Sequence, residues 1–180
     1  MNLFVLDRDP VEAARQNCDK HVCKIVLEAA QMLGLAHQVY NPAVPTWMYN
    51  AHTHRNNHVS KWVRETLANY RWTVAHGLAL AAEYTRRYGK THGEASRKPG
   101  RATPLDVLLW CRDNEPAIPD LPLTEFRQAV AEDCYRPDVV EAYRLYYIRY
   151  KSRFAKWRSG PYLDWYRDGV IKEFGRATVG

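Results

Sequence analysis

The sequence lacks the features of a membrane protein or a disulfide-rich protein. No apolar run approaches the roughly 20 residues that a membrane-spanning helix needs. Segment 3–6 (LFVL) is too short for a secretory signal. The four cysteines form no CxxC pair, which argues against a cysteine zinc site or a disulfide framework. No Walker-type phosphate loop, GxSxG elbow or dinucleotide fingerprint occurs. We therefore expect a cytoplasmic protein with free thiols and no membrane partner.

Length and composition indicate one folded unit. The chain has 180 residues, of which 46% are hydrophobic and 26% charged, and it contains no low-complexity tract or repeat. This size and balance suit a single domain over residues 1–180 with a real core. The net charge of +6 favours a polyanionic partner, although many soluble proteins carry such a charge.

Hydrophobic periodicity predicts an all-α fold, a single compact multi-helix domain with one candidate short N-terminal strand at residues 3–7. Asp9-Pro10 and Thr103-Pro104 each place a capping residue before a first-turn proline, which is typical of a helix start. A basic, glycine-containing segment at 89–102 is expected to be a flexible loop. The predicted helices cover about residues 10–40 with a candidate break at 17–18, 57–88, 103–113, 124–131, 137–158 and 162–174.

The first long predicted helix carries a narrow polar line. His21, Lys24, Glu28 and Gln31 are spaced by three, four and three residues, which places them on one helix face. Nearly all other positions of this segment are apolar, so the helix should be buried and the line should border a cleft. The alternative is a narrow solvated edge held by a Lys24–Glu28 pair.

Such a line could carry chemistry. A carboxylate among apolar neighbours can act as a base or stabilise a developing cation. A nearby lysine can act as an amine nucleophile or bind phosphate, and a histidine can transfer protons. The candidate catalytic residues are therefore Glu28, Lys24 and His21.

The N-terminal segment resembles small phage-encoded proteins and pyrimidine-dimer DNA glycosylases of the endonuclease V type. Asp19-Lys20-His21 followed by Glu28 reproduces that family's spacing between an Asp-x-His segment and its catalytic glutamate. Asn57-His58 ahead of Trp62 is similar to an Asn-His pair before a tryptophan-bearing helix in the bacterial relatives.

The resemblance implies a catalytic carboxylate at Glu28 and a substrate contact at His21. It also implies that Gln31, Asp19, Lys20, Asn57, His58 and Trp62 are substrate-binding. The family's nucleophile is an N-terminal amine exposed by removal of the initiator methionine. Here Met1 precedes the large Asn2, which disfavours that removal, so Lys24 or Lys20 would have to supply the amine. In a phage-encoded protein, the location would be the cytoplasm of a bacterial host.

The predicted helix at 137–158 is both aromatic and basic. Tyrosine, phenylalanine and tryptophan recur every three or four residues, as on a buried face, and basic residues occupy much of the remainder. Basic side chains can follow a phosphate backbone, and exposed aromatic rings can stack on unpaired bases. The ordinary alternative is a core face and a solvated face. The candidate nucleic-acid-binding residues are Arg149, Arg153, Lys156, Trp157 and Arg158.

Three histidines, His52, His54 and His58, have a spacing compatible with zinc, but neither a nearby cysteine nor an obvious acidic fourth ligand completes the set. We expect no metal and no cofactor.

Three functions follow from these patterns. The first is a DNA glycosylase, with or without lyase activity, that acts on a pyrimidine base in DNA repair or base modification. The second is a transferase that modifies a base or a nucleotide. The third is a non-catalytic basic protein that binds DNA or blocks a host defence protein. The implied partner is DNA or a nucleotide.

Overall fold

A computed structural model describes residues 1–41, 43–49 and 52–175, with only the backbone of His52. Within these residues the regular structure is helical and no strand is present, so the predicted all-α fold is confirmed. The helices are α1 (Pro10–Gln16), α2 (Asp19–Tyr40), α3 (His58–Val63), α4 (Leu67–Tyr88), α5 (Pro104–Asp113), α6 (Val139–Tyr146) and α7 (Asp164–Phe174). A π-helical turn, Tyr147–Lys151, continues α6. No described helix combines the length and the apolar character that a membrane crossing requires.

The helix starts that local signals predict are present. Asp9 caps α1 by accepting hydrogen bonds from the backbone nitrogens of Val11 and Glu12. Thr103 and Asp106 form a complete capping box at the start of α5. The chain also breaks at residues 17–18, between α1 and α2.

Segment 3–7 is buried but does not form the candidate strand. The nitrogen of Phe4 binds the side-chain oxygen of Asn2 at 2.9 Å, and the carbonyl of Leu3 lies 2.9 Å from His76 Nε2. Side chains therefore satisfy backbone groups that a partner strand would otherwise pair. Phe4 adopts the left-handed region, with φ of 48°, which interrupts the extended path.

Three predicted helices differ from the structure because distant groups bind the chain. Residues 64–66 separate α3 from α4, and the nitrogen of Leu67 binds the carbonyl of Pro119 at 2.9 Å. The segment at 124–131 is not helical: the nitrogen of Thr124 binds Asn69 Oδ1 at 3.0 Å. The helix predicted to reach residue 158 ends with the π-helical turn at Lys151.

Helix α2 lies at the centre of the domain, packed against α4 and α5. The approach is close at Gly77 of α4, where an added Cβ would lie 2.6 Å from Leu108 Cδ2 and 3.3 Å from the Cβ of Ala29. Burial on most sides leaves only one strip of α2 at the surface. The polar line runs along the edge of that strip.

The buried guanidinium of Arg87 ties the C-terminal end of α4 to the junction of α1 and α2. It binds the carboxylates of Glu83 at 3.0 Å and Asp19 at 3.1 Å, and the carbonyl of Asn17 at 2.8 Å. Asp19 in turn accepts a hydrogen bond from the backbone nitrogen of Arg158 at 2.9 Å. Arg87 and Asp19 together thus connect α4, the junction of α1 and α2, and the backbone at Arg158.

Candidate functional site

The carboxylate of Glu28 is the centre of the candidate site. Glu28 lies on α2 and is only 9% exposed. Its Oε2 accepts a hydrogen bond from the backbone nitrogen of Asn2 at 2.7 Å. The N-terminal segment therefore folds over a carboxylate that belongs to the central helix. A hydrogen bond to the charged form holds the carboxylate in place.

Two primary amines lie beside this carboxylate. Lys24 Nζ is 3.2 Å from Oε1, and the α-amino nitrogen of Met1 is 3.9 Å from Oε2. The Lys24 side chain is 67% exposed, whereas that of Met1 is nearly buried. Lys24 and Glu28 are close enough to exchange a proton directly, whereas the Met1 amine lies beyond hydrogen-bond distance.

His21 lies one helical turn before Lys24 on α2, inside an aromatic box. Its ring stacks on Phe4 with centroids 4.0 Å apart, and Tyr147 and Phe154 meet it edge-on. Nδ1 forms a hydrogen bond with the hydroxyl of Tyr147, which also lies 3.1 Å from Asn17 Oδ1. The ring is 5% exposed, so the box fixes both its position and its orientation.

The box also determines the protonation of His21. Burial, together with the positive charges of Lys151, Lys24 and Lys20, lowers the pKa of His21 to about 3. The imidazole is therefore neutral at physiological pH. The ammonium of Lys20 lies 4.6 Å from the centroid of the Phe154 ring, and that of Lys151 lies 4.3 Å from the Tyr146 ring. These lysines form a basic rim around the aromatic box.

A cleft of about 340 Å³ contains His58, with Lys61, Gln128 and Tyr135. It is connected to the site through the chain: the side-chain nitrogen of Asn2 binds the carbonyl of Ala129 at 2.8 Å, next to Gln128. The structure thus brings the predicted substrate contact His58 to the segment that also holds Asn2 against Glu28.

Several predicted substrate-binding residues have structural contacts instead. Asn57 caps α3 by binding the nitrogens of Val59 and Ser60. Trp62 is 1% exposed and packs on Phe126 with centroids 4.8 Å apart, so its faces are not accessible to a base. Asp19 holds Arg87, as described above. Gln31 is half-buried, one turn beyond Glu28.

The basic C-terminal residues divide into two groups. Arg153, Lys156 and Trp157 line a cleft of about 510 Å³ together with Tyr162, which is fully exposed. The cleft thus combines cations with aromatic rings, and nucleic-acid binding by these residues stays a prediction.

The other two basic residues have partners within the protein. Arg149 bridges Asp133 at 3.0 Å and Glu173 at 2.8 Å, which neutralises its charge. The guanidinium of Arg158 lies 5.0 Å from the Tyr88 ring centroid. These contacts leave both residues less free to bind phosphate.

Sequence reasoning missed Asn2, Phe4 and Tyr147. They contact Glu28 or His21 from segments far away in the chain, so no helical spacing connects them to the polar line. The one available signal was the short apolar run at 3–6, which indicates a buried segment. A buried segment adjoining Met1 would place the chain's first residues near the core.

In the described part of the chain, no group of three or more His, Cys, Asp or Glu side chains is placed to hold a metal ion. The side chain of His52, part of the predicted zinc-like spacing, lies outside the described residues. Comparison of the sequence with protein-family models and curated proteins, and of the fold with solved structures, gives no match.

Proposed function

We propose that this protein is an enzyme that cleaves the N-glycosidic bond of a pyrimidine nucleotide in DNA, with Glu28 as its catalytic carboxylate and an amine as its nucleophile. The observation that carries the proposal is the pairing of a 9% exposed glutamate with Lys24 Nζ at 3.2 Å, beside a rim of further lysines. The resemblance of residues 19–28 to the endonuclease V type of glycosylase supports the same assignment.

The reaction follows from the positions of these groups. Glu28 accepts a proton from the amine, which attacks C1′ of the deoxyribose as the bond from C1′ to the base breaks. The base leaves with the bonding electrons and takes up the proton from Glu28. The bond from C1′ to the ring oxygen O4′ then breaks, O4′ takes up a second proton that the nitrogen loses, and the opened sugar remains on the nitrogen as an iminium. Once Glu28 has given up that proton, its negative charge stabilises the positive charge of the iminium. Lys24 is the first candidate amine, and the Met1 α-amine at 3.9 Å is the second.

Two surfaces support DNA as the substrate. Lys20, Lys24 and Lys151 surround the site and can contact phosphates on either side of the target nucleotide. The cleft with Arg153, Lys156 and Trp157 lies close by, because the nitrogen of Asp19, at the start of α2, binds the carbonyl of Lys156 at 2.8 Å. A base displaced from the helix could stack on the exposed Tyr162.

The test is incubation with DNA that carries pyrimidine dimers or modified thymine, followed by measurement of abasic sites. Glu28→Gln keeps the shape of the side chain but removes the base, and we expect the rate to fall about 10²- to 10⁴-fold. Glu141→Gln, an exposed glutamate of α6, is the matched control and should retain the wild-type rate. Borohydride trapping and peptide mapping then identify the amine that becomes linked to the sugar.

The outcomes separate the three functions. Absence of abasic sites with every damaged or modified substrate contradicts the proposal. New nucleosides in the mass spectrum of DNA co-expressed with the protein indicate the transferase instead. Salt-sensitive DNA binding that is unchanged in Glu28→Gln and Lys24→Met, without any reaction, indicates a non-catalytic binding protein.

A further inference from the structure

A third cleft, of about 870 Å³, lies between the basic loop before α5 and the outer face of α5. Its walls are the two tryptophans Trp47 and Trp110 and the cations Arg97, Lys98 and Arg101. Neither the polar line nor the basic C-terminal residues contribute to it. Its size is within the usual range for a site that binds a small organic ligand.

The two indole rings form a corner. Their centroids are 5.9 Å apart and their planes are perpendicular, so the face of one ring meets the edge of the other. Trp110 is held from behind by His37 of α2, with ring centroids 4.7 Å apart. Both tryptophans are half-buried and keep part of their surface in the cleft. A flat aromatic ligand can stack on one indole while its edge meets the other.

Of the three cations in the cleft, Arg97 is held in ion pairs, whereas Lys98 and Arg101 are available to bind an anion. Arg97 is paired with Glu94 at 3.1 Å and with Asp106 at 3.1 Å. Asp106 is further occupied by the backbone nitrogen of Thr103 at 2.7 Å. For Lys98 and Arg101, which are both exposed, no carboxylate of the described residues lies within ion-pair distance. The carboxylates of Glu94 and Asp106 also line the cleft, and both are paired with Arg97. An anion that enters the cleft can therefore pair with Lys98 and Arg101.

The cleft is separate from the Glu28 site. Glu28 and His37 are nine residues apart on α2, which corresponds to about two and a half turns and about 13 Å along the axis. The two side chains therefore point to opposite sides of the helix. A ligand against Trp110, on the far side of His37, cannot at the same time contact the carboxylate of Glu28.

We propose that this cleft binds a nucleotide, with the base stacked on the tryptophan corner and the phosphate held by Lys98 and Arg101. A nucleotide combines the two properties that the walls require, a flat aromatic ring and a nearby negative charge. The same chemistry is available from a free nucleotide and from an unpaired nucleotide of a DNA strand. This inference does not depend on the reaction at Glu28.

The test is direct binding of thymidine 5′-monophosphate and of a short oligothymidylate to the full chain, measured by calorimetry. Arg101→Ala and Trp47→Ala should each weaken binding about tenfold, because each removes one of the two recognition elements. Arg112→Ala is the matched control: it lies on α5, is paired with Asp113 at 2.8 Å and does not line the cleft.

The two ligands distinguish the sources of the nucleotide. Binding of the monophosphate that is weakened in both variants assigns the cleft to a free nucleotide. Binding of the oligonucleotide alone, weakened in the same way, assigns it to a strand. Arg101 is exposed, so its variant decides the question if Trp47→Ala does not fold. Binding of neither ligand, or equal binding by Arg101→Ala and the wild type, overturns the proposal.

Discussion

At the scale of single residues, the candidate site depends on a histidine that is kept neutral. Phe4, Tyr147 and Phe154 enclose the ring of His21, and the surrounding lysines add repulsion to the loss of hydration. A neutral imidazole has one hydrogen-bond donor and one acceptor and adds no charge to the box.

The protonation state of His21 can be measured by NMR titration of the imidazole signals. Because its pKa is lowered to about 3, its signals should stay unchanged from pH 8 to about 4. His21→Phe identifies them by their loss among the seven histidines. A midpoint near the ordinary value of about 6.5 would contradict the aromatic box as described.

The lowered pKa of His21 also makes the stability of the fold depend on pH. The unfolded chain takes up a proton at His21 below pH of about 6.5, whereas the folded chain does so only near pH 3. The free energy of unfolding should therefore decrease as the pH falls through this window, by about 1.4 kcal/mol per pH unit from this residue. The slope should become shallower by that amount in His21→Phe.

Residue spacing predicted one half of the site and could not predict the other. The ion pair of Lys24 and Glu28 follows from a separation of four residues on a helix. The contact of Asn2 with Glu28 joins residues 26 apart in the chain, and that of His21 with Tyr147 joins residues 126 apart. Such contacts depend on how helices pack, which local periodicity does not encode.

At the scale of elements, Asn57 belongs to a motif that predicted substrate binding, but its side chain caps the start of its own helix, α3. Its side-chain oxygen accepts hydrogen bonds from Val59 at 3.0 Å and Ser60 at 3.1 Å, the first free backbone donors of α3. This contact orients the start of α3, and therefore the adjacent His58 in its cleft. The Asn-His pair is thus a cap followed by a candidate substrate contact.

Replacement of Asn57 separates the two roles. Asn57→Ala should lower the free energy of unfolding by about 1 kcal/mol, as is usual for loss of an N-cap. Asn57→Asp keeps the accepting oxygen and should retain the stability of the wild type. Denaturant unfolding measures both. A wild-type stability for Asn57→Ala would mean that the cap contributes nothing.

Two helix starts were predictable from the sequence, whereas one predicted helix does not form. The starts at Pro10 and Pro104 are determined by residues within one turn, which the sequence displays directly. The segment at 124–131 has a helical pattern, but its backbone binds elsewhere: the nitrogen of Ala129 binds the hydroxyl of Tyr143 at 3.0 Å. Tertiary hydrogen bonds overrode local propensity there.

At the scale of the whole molecule, the side chain of Arg87 joins α4 to the junction of α1 and α2 by ion pairs and hydrogen bonds, in addition to the packing of the helices. Its guanidinium is fully buried and shared between two carboxylates and backbone carbonyls. Removing one partner of a buried ion pair leaves the other charges uncompensated. The start of α2, which carries the polar line, is held in place by this cluster.

The neighbouring Arg86 provides a matched comparison. Arg87→Met should lower the free energy of unfolding by about 3–5 kcal/mol, because Asp19 loses its cation and Glu83 keeps only the half-exposed Arg86. Arg86→Met removes an arginine whose side chain is half exposed and should cost at most about 1 kcal/mol. Thermal unfolding of both variants checks this difference. Similar losses of unfolding free energy in the two variants would show that the buried ion pairs of Arg87 stabilise the fold no more than the exposed ion pair of Arg86.

The left-handed backbone of Phe4 has a consequence for how this chain can vary. Its φ of 48° suits glycine, asparagine or aspartate, whereas the stack on His21 requires a ring. Apart from histidine, which has a ring and tolerates positive φ, replacements satisfy at most one of the two demands. Position 4 is therefore a place where substitutions should rarely be accepted, although it carries no reactive group.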